Sequence, residues 1–227
     1  MFIGHYAVAL AAKKAAPKTS LGTLFMAAQF VDLLWPALLL LGIEHVRIAP
    51  GNTAFTPLDF YDYPITHSLA GAALWSIVLG GLYRLIRKDV RGSFIVGGVV
   101  FSHWILDFVT HRPDLPLWFT GDTRVGAGLW NSVPWTVIVE VGMFALGIAV
   151  YLGTTRRKDR IGLYAFWSLV IVLLAIYFSN LFGPPPPDPG VIAIVGNAAW
   201  LFVAWAYWID AHREPVGTAA AMHAGNG

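Results

Sequence analysis

The sequence predicts an all-α fold: a polytopic membrane helical bundle of about six transmembrane helices, preceded by an N-terminal half-helix or re-entrant helix. Three observations carry this. Hydrophobic residues make up 57% of the chain and charged residues only 12%, with a mean hydropathy of +0.63, whereas a soluble domain carries about 25% charged residues. The apolar residues fall into runs of roughly 20, the length that crosses a hydrocarbon core about 30 Å thick. The basic residues sit in short clusters between those runs, a pattern of membrane orientation rather than of nucleic-acid binding. Cysteine is absent, which excludes a disulfide framework, a thiolate metal site and a cysteine nucleophile.

Taken in order, residues 2–12 are apolar but too short to span. They are not a signal peptide, because Lys13 and Lys14 follow the apolar stretch instead of preceding it. A turn is expected at 17–20, and the first full span at 21–42, with Ser20 or Thr19 as N-cap. A loop rich in turn formers and aromatics leads to the second span, 66–86, entered through Thr66-His67-Ser68; its small residues at 70–73 permit close helix packing. The third span, 92–111, ends before Pro113. The fourth to sixth are expected at 132–153, 161–182 and 191–209, with a stiff Pro-rich corner at 183–190. Residues 1–210 thus form one transmembrane domain, and 211–227 a polar, disordered cytoplasmic tail. Lys and Arg set the orientation. Lys13, Lys14, Lys18, Arg84, Arg87, Lys88, Arg91, Arg156, Arg157, Lys158, Arg160 and Arg213 fall on one side, and only Arg47, Arg112 and Arg124 on the other. The first side is then cytoplasmic, with both termini on it and the protein in the cell (inner) membrane.

Within this apolar frame the third span carries Ser102-His103-Trp104-Ile105-Leu106-Asp107-Phe108-Val109-Thr110-His111. Residues four apart share a helix face, so His103 and Asp107 offer a nitrogen and an oxygen to one point, as a zinc-type cation requires. In a soluble chain a satisfied histidine beside a salt-bridged aspartate would be the plainer reading. In lipid an ionisable group costs about 2.5–3.5 kcal/mol or more unless it has a partner. Counting about 1.5 Å per residue brings Asp32, His103, Asp107, Glu140, His67 and His5 into one layer, from the midplane to the outer boundary. The set has carboxylates and imidazoles but no Lys or Arg, and buried carboxylates without basic partners are unfavourable. Metal ions resolve that. His with Asp/Glu and no Cys suits Zn, with Mn or Fe as alternatives, and one to two ions.

Each residue also has a local reading. Asp32 can pair beside Pro36, His5 can be a core histidine, and His67 can cap the second helix. His111 can be a ligand or an interfacial group near substrate. Gln29 and Asn197 read as interhelical hydrogen-bonding residues, and Trp118, Trp130 and Trp135 as an interfacial belt. His45, His212 and His223 are assigned nothing. Glu140, in an apolar run without Lys or Arg, is expected at the metal layer, as a ligand or as the base acting on bound water.

The N-terminal Gly-His, the Asp of the first span, Thr-His-Ser at the second and His-x-x-x-Asp in the third resemble the YdjM/YbcI-type membrane-bound metal-dependent hydrolases. That family is grouped with the zinc-dependent phospholipase C and P1 nuclease superfamily. The resemblance covers about residues 1–111, with Glu140 as an addition to it. It implies His5, Asp32, His67, His103 and Asp107 as the ligand set, with His111 nearby. The superfamily carries a later His-x-x-x-Glu pair, whereas Thr136 precedes Glu140 here, which leaves a third metal in doubt. The expected function is a metal-dependent hydrolase acting on a phosphate ester of a lipid or lipid-like substrate, with Asp107 or Glu140 handling the proton. Membrane lipids are its surroundings and nucleic acid is not a partner. The alternatives are a metal-ion or proton transporter and a metal-stabilised non-catalytic membrane protein.

Overall fold

A computed structural model describes residues 1–216. Six helical segments in it are long and apolar enough to cross a membrane. They correspond to the six expected spans. Their outer faces carry exposed Ile77, Leu85, Phe94, Leu146, Ile171 and Leu201, surface that suits lipid tails and not water.

The chain begins with α1 (Ile3–Ala15), then α2 (Leu21–Leu40), whose N-cap Ser20 accepts from Thr23 N. The expected second span is broken. A single turn, α3 (Pro64–His67), is followed by α4 (Leu69–Arg87), and Ser68 between them leaves the helical region to cap α4 through Gly71 N. The cap predicted for His67 thus belongs to Ser68. Asp89 caps α5 (Val90–Thr110). Helices α6 (Val133–Thr154) and α7 (Arg160–Phe182) follow. The sixth span is also interrupted: α8 (Pro189–Asn197) and α9 (Trp200–Ala211) are joined by tight turns in which Ala198, Ala199, Leu201 and Phe202 each donate three residues back. Asn197 donates to Ala193 O of its own helix, so its expected interhelical bond is not made.

Helix α1 is the centre of the bundle, buried against α2, α5 and α6. At about 1.5 Å per residue its 13 residues are too short to span. Gly147 of α6 lets it dock, because a Cβ there would lie 2.6 Å from Ala7 O. Its C-terminal Lys13 is buried and bonds Thr19 O and Asp210 Oδ1, both at 2.8 Å. Thr19 Oγ1 is also 2.9 Å from Tyr83 Oη. The connections carrying most of the Lys and Arg residues therefore share one end of the bundle.

Short antiparallel strand pairs, absent from the sequence expectation, close both ends. At the basic end β5 (Thr155–Arg157) pairs with β6 (Arg213–Pro215). Arg213 is buried, donating to Thr155 and Gly162 O over the Tyr151 and Phe166 rings. The tail expected from 211 onward is thus ordered as far as 216; the expectation for 217–227 lies outside the described residues. At the other end lie β1 (His45–Ile48) with β2 (Leu58–Asp62), and β3 (Leu115–Pro116) with β4 (Arg124–Val125). Met1 is buried inside the bundle, its amino group 2.6 Å from Asp107 Oδ1, and does not lie at the basic end.

Candidate metal centre

Four elements deliver five side chains to one place. On α5, His103 and Asp107 are one turn apart, with Nε2 3.1 Å from Oδ2. Asp32 of α2 lies beside them, its Oδ2 3.6 Å from His103 Nε2 and its Oδ1 3.2 Å from His67 Nε2. His67 is the last residue of α3, and the break at Ser68 turns it inward, where its Nε2 is also 3.9 Å from Asp107 Oδ2. From α1, His5 Nε2 is 3.1 Å from Asp107 Oδ1. Its ring stacks on His103 at 3.6 Å, with 4° between the planes. The five residues form two overlapping groups that can hold a metal ion, His5–His103–Asp107 and Asp32–His67–His103, with His103 common to both. The histidines and Asp107 are buried, whereas the Asp32 side chain is 34% exposed. Asp32 is the edge at which the site opens.

The hydrogen bonds behind the rings decide what the rings present. His103 Nδ1 is 2.7 Å from Ala28 O. A carbonyl only accepts, so Nδ1 carries the proton and Nε2 a lone pair. Behind His67, the Thr66 hydroxyl donates to Glu44 Oε2 at 2.7 Å and lies 2.7 Å from His67 Nδ1. With its one hydrogen given to the carboxylate, Thr66 accepts from His67 Nδ1, and His67 Nε2 is left facing Asp32 Oδ1 at 3.2 Å. The Nε2 atoms of both rings thus face the oxygens of two carboxylates at 3.1–3.9 Å, and among the described residues His103 Nε2 has no hydrogen-bond partner. Such a cluster is repulsive in low dielectric until a cation enters. The Met1 amino group supplies a positive charge, but on the far oxygen of Asp107. Among the described residues no Lys or Arg pairs with Asp32 or Asp107.

Two of the expected residues belong to neither metal-capable group. Glu140 is buried, but its Oε2 accepts Phe2 N at 2.8 Å and Gly4 N at 3.4 Å. It holds the start of α1, whose first amide groups have no other acceptor, and it belongs to neither metal-capable group. His111 is also outside them. Its Nδ1 is 2.8 Å from Asp114 Oδ1, and its ring lies 4.2 Å from Trp130. Trp130 is itself buried, so it is a core residue rather than part of the expected belt, while Trp118 and Trp135 are exposed. Gln29 is buried and its Nε2 meets no partner. His45 pairs with Asp62 and His212 with Asp159 near the surface; His223 lies outside the described residues.

The sequence reading missed Glu44 and the aromatic shell over the site. Trp35 packs edge-on to His67, and Tyr63 lies between His67 and the His111–Asp114 pair. Burial, with Asp114 adding to it, pushes the Tyr63 phenol well above its ordinary pKa, so it remains a donor. A signal for Glu44 existed. Helix α3 starts at Pro64 after Tyr63, with no capping side chain of its own, and a helix start without a local cap needs an acceptor from elsewhere.

Compared with protein-family models, with curated proteins and with solved structures, the chain has no match.

Proposed function

We propose that this is an integral membrane metal-dependent hydrolase, acting on a phosphate ester of a lipid or lipid-like substrate. The observation that carries the reading is the confrontation of the His67 and His103 Nε2 atoms with the Asp32 and Asp107 carboxylates, an arrangement that a divalent cation satisfies. These four residues would hold the ion, with His5 completing the group it forms with His103 and Asp107. Nitrogen and oxygen donors without sulfur favour zinc, then manganese or iron. When bound, the ion supplies charge stabilisation at a phosphoryl oxygen and activation of water. The chain's own contribution is placement. Trp35 and Tyr63 exclude water from the His67 side, and the exposed edge of Asp32 admits the reacting group. Proton handling falls to the Asp107 carboxylate; Glu140, engaged with α1, is assigned to positioning. The basic end faces the cytoplasm by the excess of Lys and Arg, so the hairpin end over the site faces outward, where lipid headgroups are in reach.

The test is phosphate release from phosphatidic acid by the purified protein in detergent. Chelator abolishes it and zinc or manganese restores it. Turnover indifferent to chelator, or zinc flux across proteoliposomes with no phosphate released, rejects the proposal.

A further inference from the structure

We infer that Glu44 is a positioning residue for the metal centre: acting through the Thr66 hydroxyl, it holds the proton of His67 on Nδ1 and so makes Nε2 a ligand. The inference rests on the metal-binding reading above.

Glu44 is buried, 1% exposed, in the link between α2 and β1. A plainer role would be to cap α3, and it does so: Oε1 accepts Ile65 N at 2.7 Å and Thr66 N at 2.9 Å. That capping uses one oxygen. The other, Oε2, accepts the Thr66 hydroxyl alone. A carboxylate can only accept, which fixes the direction of the chain of bonds. Thr66 gives its hydrogen to Glu44, and its oxygen takes the His67 Nδ1 hydrogen at 2.7 Å. The other direction would leave Nε2 protonated, donating to Asp32 Oδ1 at 3.2 Å and closed to a metal. Carboxylate partners that orient a ligating histidine raise metal affinity about 10–100-fold. Here the partner acts at one remove, through a hydroxyl.

Glu44→Gln tests this, because it separates the two oxygens. The amide oxygen retains both α3 backbone bonds. The amide nitrogen replaces Oε2 and donates to Thr66, whose own hydrogen then turns to His67 Nδ1. The expected result in metal-free, ¹⁵N-histidine-labelled protein is a change of His67 from the Nδ1–H to the Nε2–H tautomer, read from two-bond ¹H–¹⁵N correlations. Zinc binding should weaken about 10–100-fold. Thr66→Ser, which keeps the hydroxyl, should match the wild type in both readouts. Should Glu44→Gln fail to fold, Thr66→Val against Thr66→Ser carries the same comparison, with zinc weakened only in the valine variant. An Nε2–H tautomer in the wild type, an unchanged tautomer in Glu44→Gln, or equal zinc affinity in the valine and serine variants overturns the inference. A wild type that shows the Nδ1–H tautomer but takes up no zinc refutes the metal reading and leaves the positioning of His67 supported.

Discussion

His103→Asn separates metal binding from folding more cleanly than truncation to alanine. The asparagine Nδ2 can take the place of the ring Nδ1 and keep the 2.7 Å bond to Ala28 O, an interaction worth about 0.5–1.5 kcal/mol. The ring stack on His5 at 3.6 Å goes, worth about 0.5–1.5 kcal/mol. The Nε2 shared by both metal-capable groups goes with it. For a chain of this size each kcal/mol moves the melting temperature about 2–4 °C, so the metal-free variant should melt about 1–6 °C below the wild type. Zinc at 100 times its dissociation constant stabilises the wild type by about 2.7 kcal/mol, a rise of about 5–11 °C on the same scale, and should leave the variant unmoved. Thermal unfolding in detergent, with and without zinc, reads both quantities. A zinc-induced rise that survives in His103→Asn refutes the assignment of His103 as the common ligand.

Glu140→Gln keeps an oxygen for Phe2 and Gly4 N, so metal content should be unchanged, whereas Glu140→Ala removes the acceptor and should destabilise the protein by about 1–3 kcal/mol; loss of metal in the glutamine variant would return Glu140 to the ligand set. Reporter fusions after Lys158 and within 184–189 should lie on opposite sides of the membrane, and the same side for both contradicts the orientation drawn from Lys and Arg. At the basic end, the hydrogen bond with His212, followed by that from Gly162 N, holds the Asp159 carboxyl below its ordinary pKa. A lowered folded-state value gives stability that is present above the unfolded value of about 3.9 and is lost as pH falls through the folded one. Protection of the β5 and β6 amides against hydrogen exchange, taken relative to the intrinsic rate at each pH, should therefore fall on acidification below about pH 4, and Asp159→Asn should flatten that response.

The sequence made the spans legible because hydropathy over 20 residues is a one-dimensional property, and the His103–Asp107 pair was legible because helical spacing is local. Its breaks were not. Ser68 leaves the helix because its side chain caps α4 while Glu44, twenty-one residues earlier than Ile65, caps α3, and only the folded chain brings Glu44 there. Glu140 is a different case: its Oε2 is taken up by backbone from the first residues of the chain, a partner that a side-chain inventory does not contain, while its Oε1 meets no partner among the described residues. The order of 213–216 likewise depends on β5, more than fifty residues before it in the chain.

The central place of a helix too short to span has a consequence for how the molecule is made. Helix α2 carries Asp32 yet keeps a mean hydropathy of 1.6, in the range of the other spans, so it can enter the bilayer before either histidine partner has been synthesised. Helix α1 has no such independence. Its amide groups wait for Glu140, 138 residues beyond Phe2, and its docking surface waits for Gly147. Helix α1 is thus seated only once α6, more than a hundred residues later in the chain, has been made, and His5 completes the centre no earlier.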